Sequence, residues 1–278
     1  MSNCTMLEQL RDLRLPGFIE GLAEQRTSSR YHELPFDERL AMLVDREVLR
    51  RTNARLQNRI KNARIRFSVT LDDVNFIVPR GVVKQSFLEL ATCHWVTERL
   101  SLIITGPTGV GKSFFASVLS DQACKLGFTT LYTRASDLIA ELLMAKTDAS
   151  FLALRAKLRK VDLLVIDDWL RDPFESAHAR EFLDLLDDRY RKASCLFASQ
   201  LPVEDWHKNI ADPTLADAIM DRLVHDTLRL KLDGPSMRAV TSPIVAAKEK
   251  NKKVENVAAL RKGSNKSDSE SSSKLDRS

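Results

Sequence analysis

The sequence predicts an α/β fold, a parallel sheet flanked by helices and preceded by a small all-helical domain. Three observations carry that prediction. From about residue 99, short apolar runs alternate with helical stretches, as in a parallel sheet covered on both faces. A glycine loop at 106–113 sits between one such run and a helical stretch. From Pro35 to Arg66 there is no internal Gly or Pro, which suits one long helix.

Thr5 and Glu8 have capping-box spacing, so a first helix is predicted to start there. Leu15-Pro16-Gly17 ends it, because Pro16 lacks a donor and Gly17 permits a turn. Phe18 and Leu22 lie four apart on one face of a second helix. Pro35 opens the third, with Asp37 and Glu38 in its first turn, where the dipole favours negative charge. Leu49, Leu56, Ile60 and Ala63 fall at steps of seven, four and three, which is one helical face. Residues 71–98 read as a connector with Pro79-Arg80-Gly81 as its turn and an apolar helical stretch around Leu88-Trp95. Strands are predicted at Leu102–Thr105, Thr129–Tyr132, Leu163–Asp167, Cys195–Ser199 and Thr227–Leu232. From Lys248 the chain becomes polar and Ser-rich and is expected to be disordered, having too little apolar surface to offset its ordering entropy. The expected organisation is a helical assembly or partner-binding domain (1–70), a linker (71–98), an ATPase domain (99–245) and a basic tail (246–278).

Of the 278 residues, 44% are hydrophobic and 29% charged, an ordinary globular mix that argues against a disordered or collagen-like chain. No run approaches the roughly 18 apolar residues of a membrane span. The opening MSNCTMLEQLRDLR lacks the basic segment and apolar core of a secretory signal. Cys4, Cys93, Cys124 and Cys195 form no C-x-x-C pair. They read as small buried hydrophobes in a reducing, cytoplasmic setting. Lys248–Ser278 alone carries nine basic and five acidic residues, so most of the formal charge of +5 sits there. Overall basicity is therefore no argument for a nucleic-acid partner.

Gly106-Pro107-Thr108-Gly109-Val110-Gly111-Lys112-Ser113 fits G-x-x-x-x-G-K-[ST] in full. Three of the chain's nine glycines lie in this loop. Glycines let backbone N–H groups turn inward around a phosphate, and the following helix adds positive potential. Lys112 is expected to reach the β- and γ-phosphates of ATP, and the Ser113 hydroxyl to ligate Mg2+. Leu163-Leu164-Val165-Ile166 ends in Asp167-Asp168. Asp167 is expected to hold Mg2+ through water, and Asp168 to orient or deprotonate the attacking water. On an extended strand the two would point opposite ways, which favours separate roles. Ser199, closing the next apolar run, is a candidate to bond a γ-phosphate or that water. Arg222 and Arg238 are candidates to stabilise phosphoryl charge; the alternative for each is a surface ion pair.

GPTGVGKS, LLVIDD, ASQLPVEDWH, DPTLADAIMDRLVH and GPSMR together resemble the IstB group of AAA+ ATPases, the transposition helper proteins of bacterial insertion sequences, which are related to the DnaC helicase loader. LRLPGFIEGLAEQ, LPFDERLAMLVDREV and LATCHWV also look like that group, so the resemblance spans about residues 7–240. It implies Walker A residues at Lys112 and Ser113, Walker B residues at Asp167 and Asp168, and sensor 1 at Ser199. It further implies an arginine finger at Arg222, offered to a neighbouring subunit, and sensor 2 at Arg238. A finger in trans implies a head-to-tail homo-oligomer on DNA, with a cognate transposase as partner and a bacterial cytoplasm as setting. The chain departs from the family where Trp169-Leu170 follow the acids in place of a small residue.

Residues 46–66 hold eight basic side chains (Arg46, Arg50, Arg51, Arg55, Arg59, Lys61, Arg64, Arg66) against one acid, Glu47. They fit either a stripe for duplex phosphates or a solvated, ion-paired helix face. Arg155, Lys157, Arg159 and Lys160 form a second candidate DNA surface. No base-reading signature occurs, so sequence-independent binding is expected. Two rival readings stand beside this: a DnaC-like helicase loader with the same engine and a different client, and, of another class, a nucleotide-gated DNA scaffold with little turnover.

Overall fold

A computed structural model of the chain describes residues 3–224 and 227–237. Arg238 and the Ser-rich stretch from Lys248 onward lie outside these residues. The helical N-terminal region contains α1 (Asn3–Asp12), α2 (Pro16–Thr27) and α3 (Phe36–Ala63). Helices α4 (Lys84–Ala91) and α5 (His94–Thr97) connect it to the sheet. There follow β1 (Ser101–Thr105), α6 (Lys112–Lys125), β2 (Thr130–Arg134), α7 (Ala135–Thr147) and α8 (Phe151–Lys160). The chain continues through β3 (Leu163–Trp169), α9 (Ser176–Arg189), β4 (Ser194–Ser199), α10 (Pro213–Val224) and β5 (Thr227–Lys231). The strand order is β2-β3-β4-β1-β5, and every pairing is parallel.

Alternation along the strands divides the core. Leu164, Ile166 and Phe197 pack with Leu138, Phe182 and Ile219 on one face. Leu163, Val165, Leu196 and Tyr132 pack with Phe87, Phe115 and Leu119 on the other. The inner strands β1, β3 and β4 are buried on both faces, so their residues read as continuous apolar runs, whereas the edge strand β5 is largely exposed. All strand ends therefore point the same way, and β1 and β3 deliver the glycine loop and the two aspartates to one edge.

One expectation fails in the N-terminal region. The first helix already runs at Asn3, so Thr5 stands inside it and not at its cap. Leu49 is exposed, and the buried residues of α3 are Leu43, Glu47 and Ala63. The reason is that α3 has two successive partners. Its first half packs on α2 and its end on α6 and β2, so no single stripe stays buried. Among the described residues, no helix is long and apolar enough to cross a membrane.

Candidate nucleotide site

The loop after β1 wraps the start of α6. At Gly109 φ is +83°, and a Cβ there would lie 2.1 Å from the Ser236 hydroxyl oxygen. Only glycine fits both the backbone and the space. The Met237 N–H donates to the Gly109 carbonyl at 2.8 Å, fastening the loop to the segment after β5. Lys112 opens α6 and is buried; its Nζ donates to the carbonyls of Gly106 (2.8 Å) and Pro107 (2.9 Å). The Thr108 hydroxyl donates to Oε1 of Gln200 at 2.7 Å.

Beside the loop, β3 brings in Asp167, which is 1% exposed. Its Oδ1 accepts from the Ser113 hydroxyl (3.0 Å) and the Asp168 N–H (2.9 Å). Its Oδ2 accepts from the Tyr132 hydroxyl and from Arg66, both at 2.7 Å. Burial, reinforced by the Asp167 charge, pushes the Tyr132 phenol well above its ordinary range, so it stays a donor. For Arg66, burial acts to lower the pKa, but the bond to Asp167 and its charge outweigh that and hold it above the usual value. A carboxylate beside a hydroxyl is a hard-oxygen pair of the kind Mg2+ takes together with phosphate oxygens and waters. Asp167 and Ser113 thus fit the predicted metal role.

Asp168 does not point away from Asp167. Its φ is +54°, and the pairing shifts from Ile166↔Phe197 to Trp169↔Ser199. Three steps on β3 match two on β4, a bulge that re-aims the side chain. The opposite-face expectation assumed an extended strand, and the strand is not extended there. The Asp168 carboxylate lies 3.7 Å from Arg66, 3.9 Å from Arg134 and 4.0 Å from Arg171. Trp169 then packs among Phe174, Phe182, Phe197 and Trp206, and Leu170 takes φ +51°. The turn that a small residue would ease is therefore made with a buried indole anchor.

Ser199 is a second correction. It is fully buried, donates to the Trp169 carbonyl at 2.8 Å and accepts from the Leu201 N–H at 3.2 Å. Its hydroxyl ties two strand ends together. The polar group facing the site from this strand end is Gln200, one residue on, which lines the loop-side cavity of about 710 Å³ with Arg66, Phe67, Arg80, Lys112 and Asp168. Arg222 bonds Asp187 and, at 2.9 Å, the Ala218 carbonyl. It lines a small cavity with Arg99, Ser101 and Cys195, at the strand starts and so remote from its own phosphate loop.

Most of the basic stripe has internal partners. Arg46 bonds Glu24, Arg50 and Arg51 bond Glu47, Arg59 donates to the Cys124 carbonyl at 2.9 Å, and Arg66 serves the aspartates. Arg55, Lys61 and Arg64 are exposed. Arg155 pairs with Asp188, while Lys157, Arg159 and Lys160 are exposed at the end of α8. Sequence reasoning missed Gln200, Tyr132 and Arg134. It placed Arg66 in a basic stripe that fitted either duplex phosphates or an ion-paired helix face, since charge alone does not tell a stripe residue from one that turns inward.

The family described as IstB-like ATP binding protein matches residues 8–243. The chain is 36% identical over 232 residues to a Sinorhizobium fredii protein, y4pL, named for an insertion sequence and for ATP binding; the match covers 84% of this chain and 95% of that one. It is 40% identical over 197 residues to a Pseudomonas fluorescens protein named for ATP binding in insertion sequence IS1162, covering 70% and 85%. Among solved structures it resembles DnaI, with a TM-score of 0.52 at 18% identity, over 59% of this chain and 91% of that one.

Proposed function

Because the chain belongs to the IstB-like ATP-binding proteins of insertion sequences, we propose that it is an ATPase that assembles on DNA and helps a transposase engage its target. The observation that carries this is the closed set of Lys112, Ser113, Asp167 and Asp168 around one glycine loop. With ATP, Mg2+ supplies charge neutralisation across the phosphates. Lys112 exchanges the two loop carbonyls for β- and γ-phosphate oxygens. Ser113 and Asp167 hold the metal. Asp168, re-aimed by its bulge, orients the attacking water and accepts its proton. Gln200 stands beside Thr108, placed to sense the terminal phosphate.

Arg222 lies too far from its own loop to act there, so its nucleotide is that of a neighbouring copy. ATP then joins subunits and hydrolysis releases them. The exposed cations Arg55, Lys157, Arg159 and Lys160 supply sequence-independent attraction to duplex phosphates.

The test is a pair of variants. Lys112→Ala loses nucleotide binding. Arg222→Ala keeps it and loses DNA-stimulated turnover; equal loss of both in Arg222→Ala would refute the role in trans. The likeness to DnaI is one of fold. Pull-down of a replicative helicase in place of a transposase would move the reading to a helicase loader.

A further inference from the structure

Arg66 stands where sequence reasoning did not place it. Ala63, the last residue of α3, is fully buried, and Arg64 takes φ +54°, turning the chain toward the site. The strap that follows, residues 65–69, is anchored at both ends. On one side Arg59 holds α3 to the end of α6. On the other, Thr70 and Asp73 cap one another, with the Thr70 N–H donating to Asp73 at 2.7 Å. From this strap the Arg66 guanidinium reaches Asp167 at 2.7 Å, the Ser113 hydroxyl oxygen at 3.5 Å and Asp168 at 3.7 Å.

Those are the oxygens assigned above to the metal and the water. Asp167 has two acceptors on each oxygen, and each oxygen already has two donors. A divalent cation bound to Asp167 therefore has to take a donor's place. Tyr132 and the Asp168 N–H are fixed by the sheet, and the Ser113 hydroxyl can rotate but stays beside the metal position. Arg66, 27% exposed on a short strap, is the donor with somewhere to go, and its positive charge repels an incoming cation.

We propose that Arg66 is a tethered counter-cation of the catalytic aspartates, displaced by magnesium when metal–nucleotide binds. The displacement moves strap 65–69 and so links the nucleotide state to α3. This deepens the ATPase reading and rests on Ser113 and Asp167 being the metal side of that site.

The test uses the full chain and a fluorescent non-hydrolysable ATP analogue, with affinity measured in excess Mg2+ and in EDTA. The readout is the ratio of the two affinities. In Arg66→Ala that ratio rises about tenfold or more, the size expected from removing one charge-assisted bond to a carboxylate. Arg66→Lys lies between the variants, and Arg64→Ala, whose side chain is exposed on the same turn, matches wild type. Hydrogen exchange of residues 65–69 in wild type rises when Mg2+ and the analogue are added together and not with either alone. An unchanged or lower ratio in Arg66→Ala, or strap exchange indifferent to metal–nucleotide, overturns the proposal and leaves the ATPase reading standing. Failure of wild type to bind the analogue under both conditions refutes that reading, and this proposal with it.

Discussion

Replacing Glu47 tests whether the N-terminal helices are held by one buried acid. Glu47 is 5% exposed. Its Oε2 accepts the Gly17 N–H at 2.7 Å, and its Oε1 accepts from Arg50 (3.1 Å) and Arg51 (2.7 Å). Arg51 also donates to the Arg14 carbonyl at 3.1 Å, so one carboxylate organises α2, α3 and the turn before them. Glu47→Ala leaves the buried Gly17 N–H without its acceptor, which costs about 1–3 kcal/mol. The Arg50 and Arg51 side chains are 39% and 45% exposed; water takes them over, so losing both pairs adds about 1 kcal/mol at most. The expected cost is about 1–4 kcal/mol, read as a lower melting temperature and faster hydrogen exchange in α1 and α2. Glu47→Gln keeps an acceptor for Gly17 and costs about 1 kcal/mol.

The charge has its own signature. The bond from Arg50, opposed by burial and helped by Arg51 and Gly17, holds the carboxyl at about 2 against an ordinary 4.5. A pKa lower in the folded than in the unfolded chain stabilises the fold fully above the unfolded value and is lost as pH falls toward the folded one. The stability gap between wild type and Glu47→Gln is therefore flat above about pH 5 and closes between about pH 4.5 and 2. An Ala variant within about 0.5 kcal/mol of wild type, or a gap that widens on acidification, refutes the argument.

Three further outcomes are expected. Gly109→Ala and Gly127→Ala both force a side chain at positive φ (+83° and +104°), but only the first meets a neighbour within 4 Å. Gly127→Ala costs about 1–3 kcal/mol of stability and leaves nucleotide affinity intact, whereas Gly109→Ala abolishes it, both read by titration and melting. Arg189 is 1% exposed and donates to the backbone carbonyls of Leu158, Val161, Asp162 and Ser194. Arg189→Lys lacks the planar fork and loses about 3 kcal/mol or more in chemical denaturation. Tyr132→Phe removes one of four donors from Asp167, lowering stability by about 1.5–3 kcal/mol with the fold retained.

The sheet was legible because its inner strands, β1, β3 and β4, are buried on both faces. Runs such as Leu163–Ile166 admit little else once a glycine loop and helical stretches lie between them. The loop was legible because its chemistry needs a fixed spacing of Gly, Lys and Ser along one turn. What failed were inferences that assumed regular geometry. The opposite facing of Asp167 and Asp168 was inferred from strand alternation, and a bulge undoes alternation with one extra residue. Ser199 was chosen as the last polar residue of an apolar run, yet its hydroxyl ties that strand end to the Trp169 carbonyl, and the next side chain faces the site. Glu47 looked like the one acid in a basic run, and nothing local in the sequence says that it bonds a glycine 30 residues earlier.

The nucleotide site is assembled from three distant stretches, and that arrangement bears on how it signals. The loop at 106–113 is held from one side by the segment after β5. The Leu232 N–H donates to the Thr105 carbonyl at 2.7 Å, and Met237 to Gly109 at 2.8 Å. From the other side Arg80 lies 4.7 Å over the Phe115 ring, and its carbonyl accepts from the Asp233 N–H at 2.9 Å. Residues near 66, 80 and 235 thus meet around one helix start, although all three lie outside the strands and helices that build the core. A packed interior resists gradual deformation, so a charge arriving on the loop acts first on these peripheral attachments. The strap of Arg66 leads to α3 and the segment at 232–237 leads to the stretch containing Arg238. The two attachments run toward opposite ends of the chain, so the loop borders the N-terminal helices on one side and the segment after β5 on the other.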